Sequence, residues 1–204
     1  QWSGFPDERK RRFGGGRLSH QTQATRDELD AAIPQILAAP KDGAAIEMLC
    51  LRPERNQRRF VDEITVTRAE GIPGERWLSE PWLQLADGRP HPGIQICVVP
   101  KRVVDLVWRD RENVVHPGDT FTVDMDLSEA NLPEGTLLQA GTAILRVSEV
   151  FNDGCVKWKV RYGAAAKDWL VAPENIPLRL RGILCSVEQD GVIRNGDRLT
   201  KLPG

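Results

Sequence analysis

The chain has 204 residues, of which 40% are hydrophobic and 28% charged, with 28 Lys and Arg against 29 Asp and Glu and a formal net charge of −1. That length and balance suit an ordinary globular protein that buries a core without disulfides, and near-neutrality gives no global field to recruit nucleic acid or a membrane surface. No apolar run approaches the roughly 20 residues of a membrane-spanning helix, so none is expected. Residues 1–23 are polar and locally basic, with Arg9, Lys10, Arg11, Arg12 and Arg17. They read as a flexible, solvated extension ahead of one domain over residues 24–204. A nucleic-acid or anionic-surface arm is the alternative reading and ranks behind it. The opening "QWSGFPDERKRRFGGG" has no apolar core of a secretory signal, so none is expected. Gly14-Gly15-Gly16 follows no strand and does not form a phosphate loop.

"TRDELDAAIPQILAAPKDG" predicts a helix. Thr25 caps it and Glu28, three residues on, completes a capping box. Leu29, Ala32, Ile33, Ile36 and Leu37 form its apolar stripe. Pro34 is placed to kink it, and "PKDG" ends it.

Strands and turns dominate from there. "AIEMLCL", "EITVT", "GIQICVVP" and "FTVDMDL" are short apolar or alternating runs, and "GIPGERW" is a Gly/Pro turn. "GTLLQAGTAILRVSEVF" contains one or two strands, broken near Gly141. "RGILCSVEQDGVIRNGDRLTKL" reads as two strands joined at Asp190-Gly191, with a second turn at Asn195-Gly196-Asp197. Short strands with Gly-rich turns predict a mainly β chain with short α-helices, as a closed or partly closed barrel.

The four cysteines, Cys50, Cys97, Cys155 and Cys185, show no C-x-x-C spacing, and His20, His91 and His116 are equally dispersed. A structural zinc site is not expected, and reduced thiols in the cytoplasm are. Cys50, Cys97 and Cys185 lie in apolar strand-like runs, where cysteine acts as a small hydrophobe. "DMDLSEANLPEG" opens like a calcium loop, yet Glu129 stands where glycine is needed and Gly135 where the bidentate Glu belongs. A solvated strand face and turn is the better reading. His116 in "RENVVHPGDTF" is a lone histidine. No G-x-S-x-G, G-x-G-x-x-G or Walker A motif occurs.

Cys155 stands apart from the other thiols, in "VFNDGCVKWKVRYG". Strict alternation over 156–162 suits a strand. Trp158, Tyr162, Ala165 and Trp169, with the helix-forming "AAAKDWL", suit a helix, which is the better reading, though Gly163 opposes an uninterrupted one. In a helix, Asn152 or Asp153 is the N-cap, Cys155 lies in the first turn, and Lys157 and Arg161 share a face. Such surroundings lower a cysteine pKa from about 8.5 toward roughly 3.5–7.5, while a nearby anion such as Asp153 opposes the thiolate. On these residues alone, a reactive thiol and an inert packing residue remain equally open.

Cys155-x-Lys157-Trp158-x-x-Arg161-Tyr162-Gly163 resembles the C-x-K-F-x-x-R-F-G signature of MOSC domains, named for the C-terminal domain of molybdenum-cofactor sulfurases. "GDTFTVDMDLSEANLPEGTLLQAGTAILRV" and "LRLRGILCSVEQDGVIRNGDRL" are similar to the family's segments on either side. "AAPKDGAAIEMLCLRP" and "GIPGERW" are similar to the front half of stand-alone bacterial members. The resemblance covers roughly residues 25–202. It implies a strand-rich, barrel-like fold and a cysteine, here Cys155, that carries sulfur as a persulfide or ligates molybdenum. It implies Lys157, Arg161, Arg76, Arg181 and Asn152 as the residues around an anionic molybdenum cofactor. Departures are Asn152-Asp153 where His-Thr is common, Trp158 and Tyr162 at the Phe positions, and Glu75 where Asp is common.

The functions implied are a molybdenum-dependent reductase of N-hydroxylated small molecules, a persulfide carrier without metal, or a cofactor-binding module without turnover. The sequence has no iron–sulfur, haem or flavin motif, so a reductase would need an external electron donor, and a carrier a sulfur donor. Pyridoxal phosphate, held by a separate domain of the full-length sulfurases, is not expected.

Overall fold

The computed structural model describes residues 22–203, so all but the last two residues of the basic extension lie outside the described part. The first element is helix α1 (Arg26–Leu37), which starts as its sequence dictates: the Thr25 side chain accepts from Glu28 N, and the Glu28 side chain accepts from Thr25 N. Leu29 and Ile36 bury its stripe, and Pro34 lies within it.

The run 45–51 divides at Met48, which takes a positive φ of 54°. Strand β1 (Ala44–Glu47) precedes the break and β2 (Cys50–Leu51) follows it. Strand β3 (Arg59–Phe60) pairs with β2, and β4 (Glu63–Val66) follows. Strand β5 (Ile96–Pro100) is buried along its whole length. It leads straight into α2 (Lys101–Val107), a helix the sequence reading did not anticipate. Its reason is topological: β5 pairs in parallel with β6 (Phe121–Val123), and a parallel pair needs a crossover rather than a hairpin.

The expected break at Gly141 separates β7 (Leu137–Ala140) from β8 (Ala143–Val147), which pair antiparallel. The contested stretch is helical: α3 (Val156–Tyr162) and α4 (Ala164–Val171) meet at Gly163, whose φ of 99° ends the first helix. Three strands close the chain, β9 (Ile183–Gln189), β10 (Gly191–Arg194) and β11 (Arg198–Lys201). Beyond Asp190-Gly191, β10 does not fold back on β9 but pairs with β4.

Seven strands close a barrel in the order β1-β11-β7-β8-β9-β5-β6, and β6 returns to β1. Its interior is filled by side chains such as Ile46, Ile96, Val98, Phe121, Leu138 and Leu145. A second core lies among the helices, where Leu29, Val103, Val107, Trp158, Tyr162 and Trp169 pack together. Trp158 and Tyr162 are the buried faces of α3, so this core fixes the helix that follows Cys155. No helix among the described residues is long and apolar enough to cross a membrane.

Candidate functional site

Cys155 is the N-cap residue of α3, one position earlier than the first turn expected for it, and its side chain makes no capping bond. It is exposed, whereas Cys50, Cys97 and Cys185 are buried. The loop before it is pinned from α4: Lys167 Nζ donates to Gly154 O at 2.6 Å and also to Asp153 O. The Asp153 carboxylate lies 3.6 Å from the same ammonium. Gly154 takes a φ of 72°, and a Cβ there would meet Leu170 at 3.0 Å. Glycine therefore lets the chain turn into α3 against α4.

Cys155 stands on a cleft of about 570 Å³ that Lys157, Asn152, Arg76 and Arg181 also line. Six separate stretches of the sequence meet there, and five of the six expected site residues are among the lining. Arg161 is not. It shares a helix face with Lys157 as its spacing requires, but its charge is felt by Arg58 instead. Asn152 ties the loop to the cleft floor: its Nδ2 donates to Cys97 Sγ and Arg181 O, both at 3.4 Å, and its Oδ1 accepts from Gly154 N at 3.4 Å.

The sequence reading did not select Arg52, Cys97, Asp119, Trp77 or Trp82, all of which line the cleft. Asp119 organises the floor. Its Oδ1 accepts from Arg181 Nη1 at 2.7 Å and from Cys97 Sγ at 2.8 Å. Burial works against the Asp119 carboxylate, but the Arg181 charge and the hydrogen bonds outweigh it and hold its pKa below the usual range. Burial, and then the Asp119 charge, push the Cys97 thiol up, so it is a protonated donor in the floor. Arg181 also lies over the Trp158 ring, 4.7 Å from its centroid, a cation–π contact that joins the floor to the helical core. The local signal for Asp119 was an acid and a glycine immediately before a buried strand, a place where a carboxylate needs a partner.

The lining includes Arg52, Arg76, Arg181 and Lys157 against Glu75, Glu80, Asp119 and Asp153. Most of these charges are matched. Arg52 reaches Glu75 at 3.1 Å, Arg76 reaches Glu80 at 3.4 Å, and Arg181 reaches Asp119. Lys157 instead donates to Asn56 Oδ1 at 2.7 Å. The cleft thus offers oriented donors rather than a net positive field. Buried Nε–H groups of Arg52, Arg76 and Arg181 have no partner, and neither does Asp119 Oδ2. Three unfilled guanidinium donors beside an exposed soft thiol fit a ligand with several anionic oxygens and a thiophilic centre, which is the chemistry of the molybdenum cofactor.

The acidic loop resolves into ordinary contacts. Asp124 pairs with Arg102 at 2.6 Å, and Asp126 is buried, pairs with Lys41 and accepts from Ser128 N at 2.9 Å. His116 is buried between Phe60 and Trp108, with ring centroids at 5.4 and 5.0 Å, and does not line the cleft.

No protein-family model matches the sequence, and no curated protein matches it. Solved structures do. YuaD from Bacillus subtilis is 22% identical, with a TM-score of 0.56 over 77% of this chain and 94% of its own. YiiM from Escherichia coli is 16% identical, with a TM-score of 0.53 over 79% of this chain and 70% of its own. Both are MOSC-type proteins. At these identities the likeness is one of fold: the closed barrel with short helices is MOSC-like, as the sequence resemblance implied.

Proposed function

We propose that the cleft holds a molybdenum cofactor with Cys155 as the metal ligand, and that the protein reduces N-hydroxylated small molecules with electrons from an external donor. The observation that carries this reading is the convergence of an exposed thiol with arginines from three distant segments, each with a buried donor unfilled. Arg52, Arg76 and Arg181 would hold the cofactor's anionic oxygens, with Lys157 as a further cation. Arg suits this task because its planar fork binds oxyanions in bidentate fashion. Arg161 stays a candidate only through the family signature. When bound, the cofactor would supply two-electron redox chemistry at molybdenum. The protein's own part is to orient it. Asp119 fixes Arg181, Asn152 fixes the loop, and Lys167 fixes the backbone leading to Cys155. Trp77, Trp82, Ile94 and Leu184 give the cleft apolar walls that suit a small organic substrate.

Exposure of Cys155 also suits a persulfide carrier, since a thiol that passes sulfur on must be reached by a second protein or thiol. Elemental analysis separates the two. Protein made in a host that synthesises the cofactor should carry molybdenum, and Cys155→Ser should lower its occupancy. Equal, near-zero molybdenum in both would sink the reductase reading. Cyanolysable sulfane sulfur on Cys155 would then identify the carrier.

A further inference from the structure

Cations are segregated in this chain of net charge −1. Over 156–162, α3 carries Lys157, Lys159 and Arg161 and no acid. The β2–β3 connection and β3 bring Arg58 and Arg59 beside it, joined to α3 through the Lys157–Asn56 bond at 2.7 Å. Among the described residues, none of these five cations has an ion-pair partner within 4.0 Å, while many other surface cations do, as in Arg26–Asp30, Arg111–Asp105 and Arg194–Glu63. Arg58 is held below its ordinary pKa by burial and then by Arg161, a like charge left uncompensated. The same face exposes apolar side chains. Val156 is 77% and Val160 68% exposed, one turn apart on α3, and Phe60 is 50% exposed beside Arg59. Val156 also lines the cleft, so the face runs up to the mouth on which Cys155 stands.

We infer that this face, α3 together with residues 58–60, is the docking surface for an acidic protein partner that presents aliphatic side chains among its carboxylates. Unpaired cations that repel one another gain most from carboxylates brought by a partner. Exposed Val156 and Val160 would lose water against an apolar contact, which a phosphate backbone does not offer. The chain's own segment 1–21 is an unsuitable occupant, because it carries Arg9, Lys10, Arg11, Arg12 and Arg17 against Asp7 and Glu8 and would repel the face. The surface deepens the proposed function, since a partner seated there lies beside the thiol that needs an external donor, but docking itself does not depend on what Cys155 carries.

The test uses the full chain, labelled with 15N, and three probes: a Glu-rich 16-residue peptide with two leucines, poly-L-glutamate, and an oligothymidylate of 16 nucleotides. The Glu/Leu peptide should bind tightest and shift the amides of 55–60 and 156–161. Raising salt from 50 to 300 mM should weaken it about tenfold. Arg59→Glu with Lys159→Glu, both exposed and outside the proposed cofactor site, should weaken it by a further factor of about ten, and Val160→Asn several-fold. Tighter binding of the oligonucleotide would overturn the inference, as would shifts elsewhere or indifference to the charge reversals. Cys155→Ser should leave peptide binding unchanged, so failure here and failure of the molybdenum test are separate results.

Discussion

The Asp119 carboxylate holds the Arg181 guanidinium at 2.7 Å, and both stand in the wall of the cleft that Cys155 borders. Asp119 is only 1% exposed, so its charge is tolerable only with that partner. Asp119→Asn would leave the buried Arg181 charge uncompensated and should cost about 3–5 kcal/mol of stability. Urea denaturation reads it. Arg181→Met added to Asp119→Asn should recover part of the loss, because removing both charges is less costly than stranding one. A double variant as unstable as the sum of the singles would show that the two residues act separately.

The four thiols should separate cleanly by reactivity. Cys155 is exposed, while Cys50, Cys97 and Cys185 are buried. Burial pushes the Cys185 thiol up to about 12, and it raises Cys50 and Cys97 as well. Since the thiolate is the nucleophile, iodoacetamide should add once to the folded chain, at Cys155, and to the other three only in denaturant. Peptide mass spectrometry checks the position. A rapid native adduct on Cys97 would mean that the cleft floor opens far more than its packing implies.

How much of this was legible in the sequence follows from how local each signal is. The capping box of α1 rests on residues three apart, and it forms as written. The helical reading of 156–171 and the break at Gly163 likewise follow from short spacings and one glycine. What failed depended on distance. Cys97 looks like any small apolar residue in a buried strand, and only Asp119, 22 residues on, makes it part of the site. Arg181 and Asp119 are 62 residues apart. The turn at Asp190-Gly191 looks like a hairpin, but β10 finds β4, and pairing across such a distance leaves no local mark. Helix α2 continues an apolar run out of β5, where periodicity cannot tell strand from helix.

Gly182 should be irreplaceable for a steric reason added to the conformational one, and Gly196 is the control. Both have positive φ, 92° and 90°. A Cβ at Gly182 would sit 1.9 Å from Val98 O, whereas at Gly196 nothing lies within 4 Å. Val98 pairs with Ile183, so the clash falls on the β5–β9 ladder next to Arg181. Gly196→Ala should cost about 1–2 kcal/mol, the left-handed strain alone. Gly182→Ala should cost on the order of 4 kcal/mol or more, a loss reserved for mechanisms of this kind. Comparable denaturation midpoints for the two variants would refute the distinction.

His116 should make the protein acid-sensitive through a single buried imidazole. Burial is the main cause of its low pKa, about 4 against an ordinary 6.5, with Asp119 opposing and the cations of Arg58, Arg181 and Arg111 adding to it. Geometry agrees with a neutral ring. Its Nδ1 accepts from Gly118 N at 3.0 Å, which a protonated Nδ1 could not do, and its Nε2 has no partner to welcome a charge. Between pH 6.5 and 4 the unfolded chain therefore binds a proton at this residue that the folded chain refuses. Stability from the group is fully present above the unfolded pKa and is lost as pH falls toward 4, below which no further loss comes from it. Its share at pH 4.5 is on the order of 2 kcal/mol. His116→Gln keeps an acceptor for Gly118 and cannot titrate in this range. Urea midpoints for both proteins at pH 7 and pH 4.5 should show the wild type losing more than the variant, by about that amount. Parallel losses in the two would mean that the acid sensitivity belongs to the carboxylates alone.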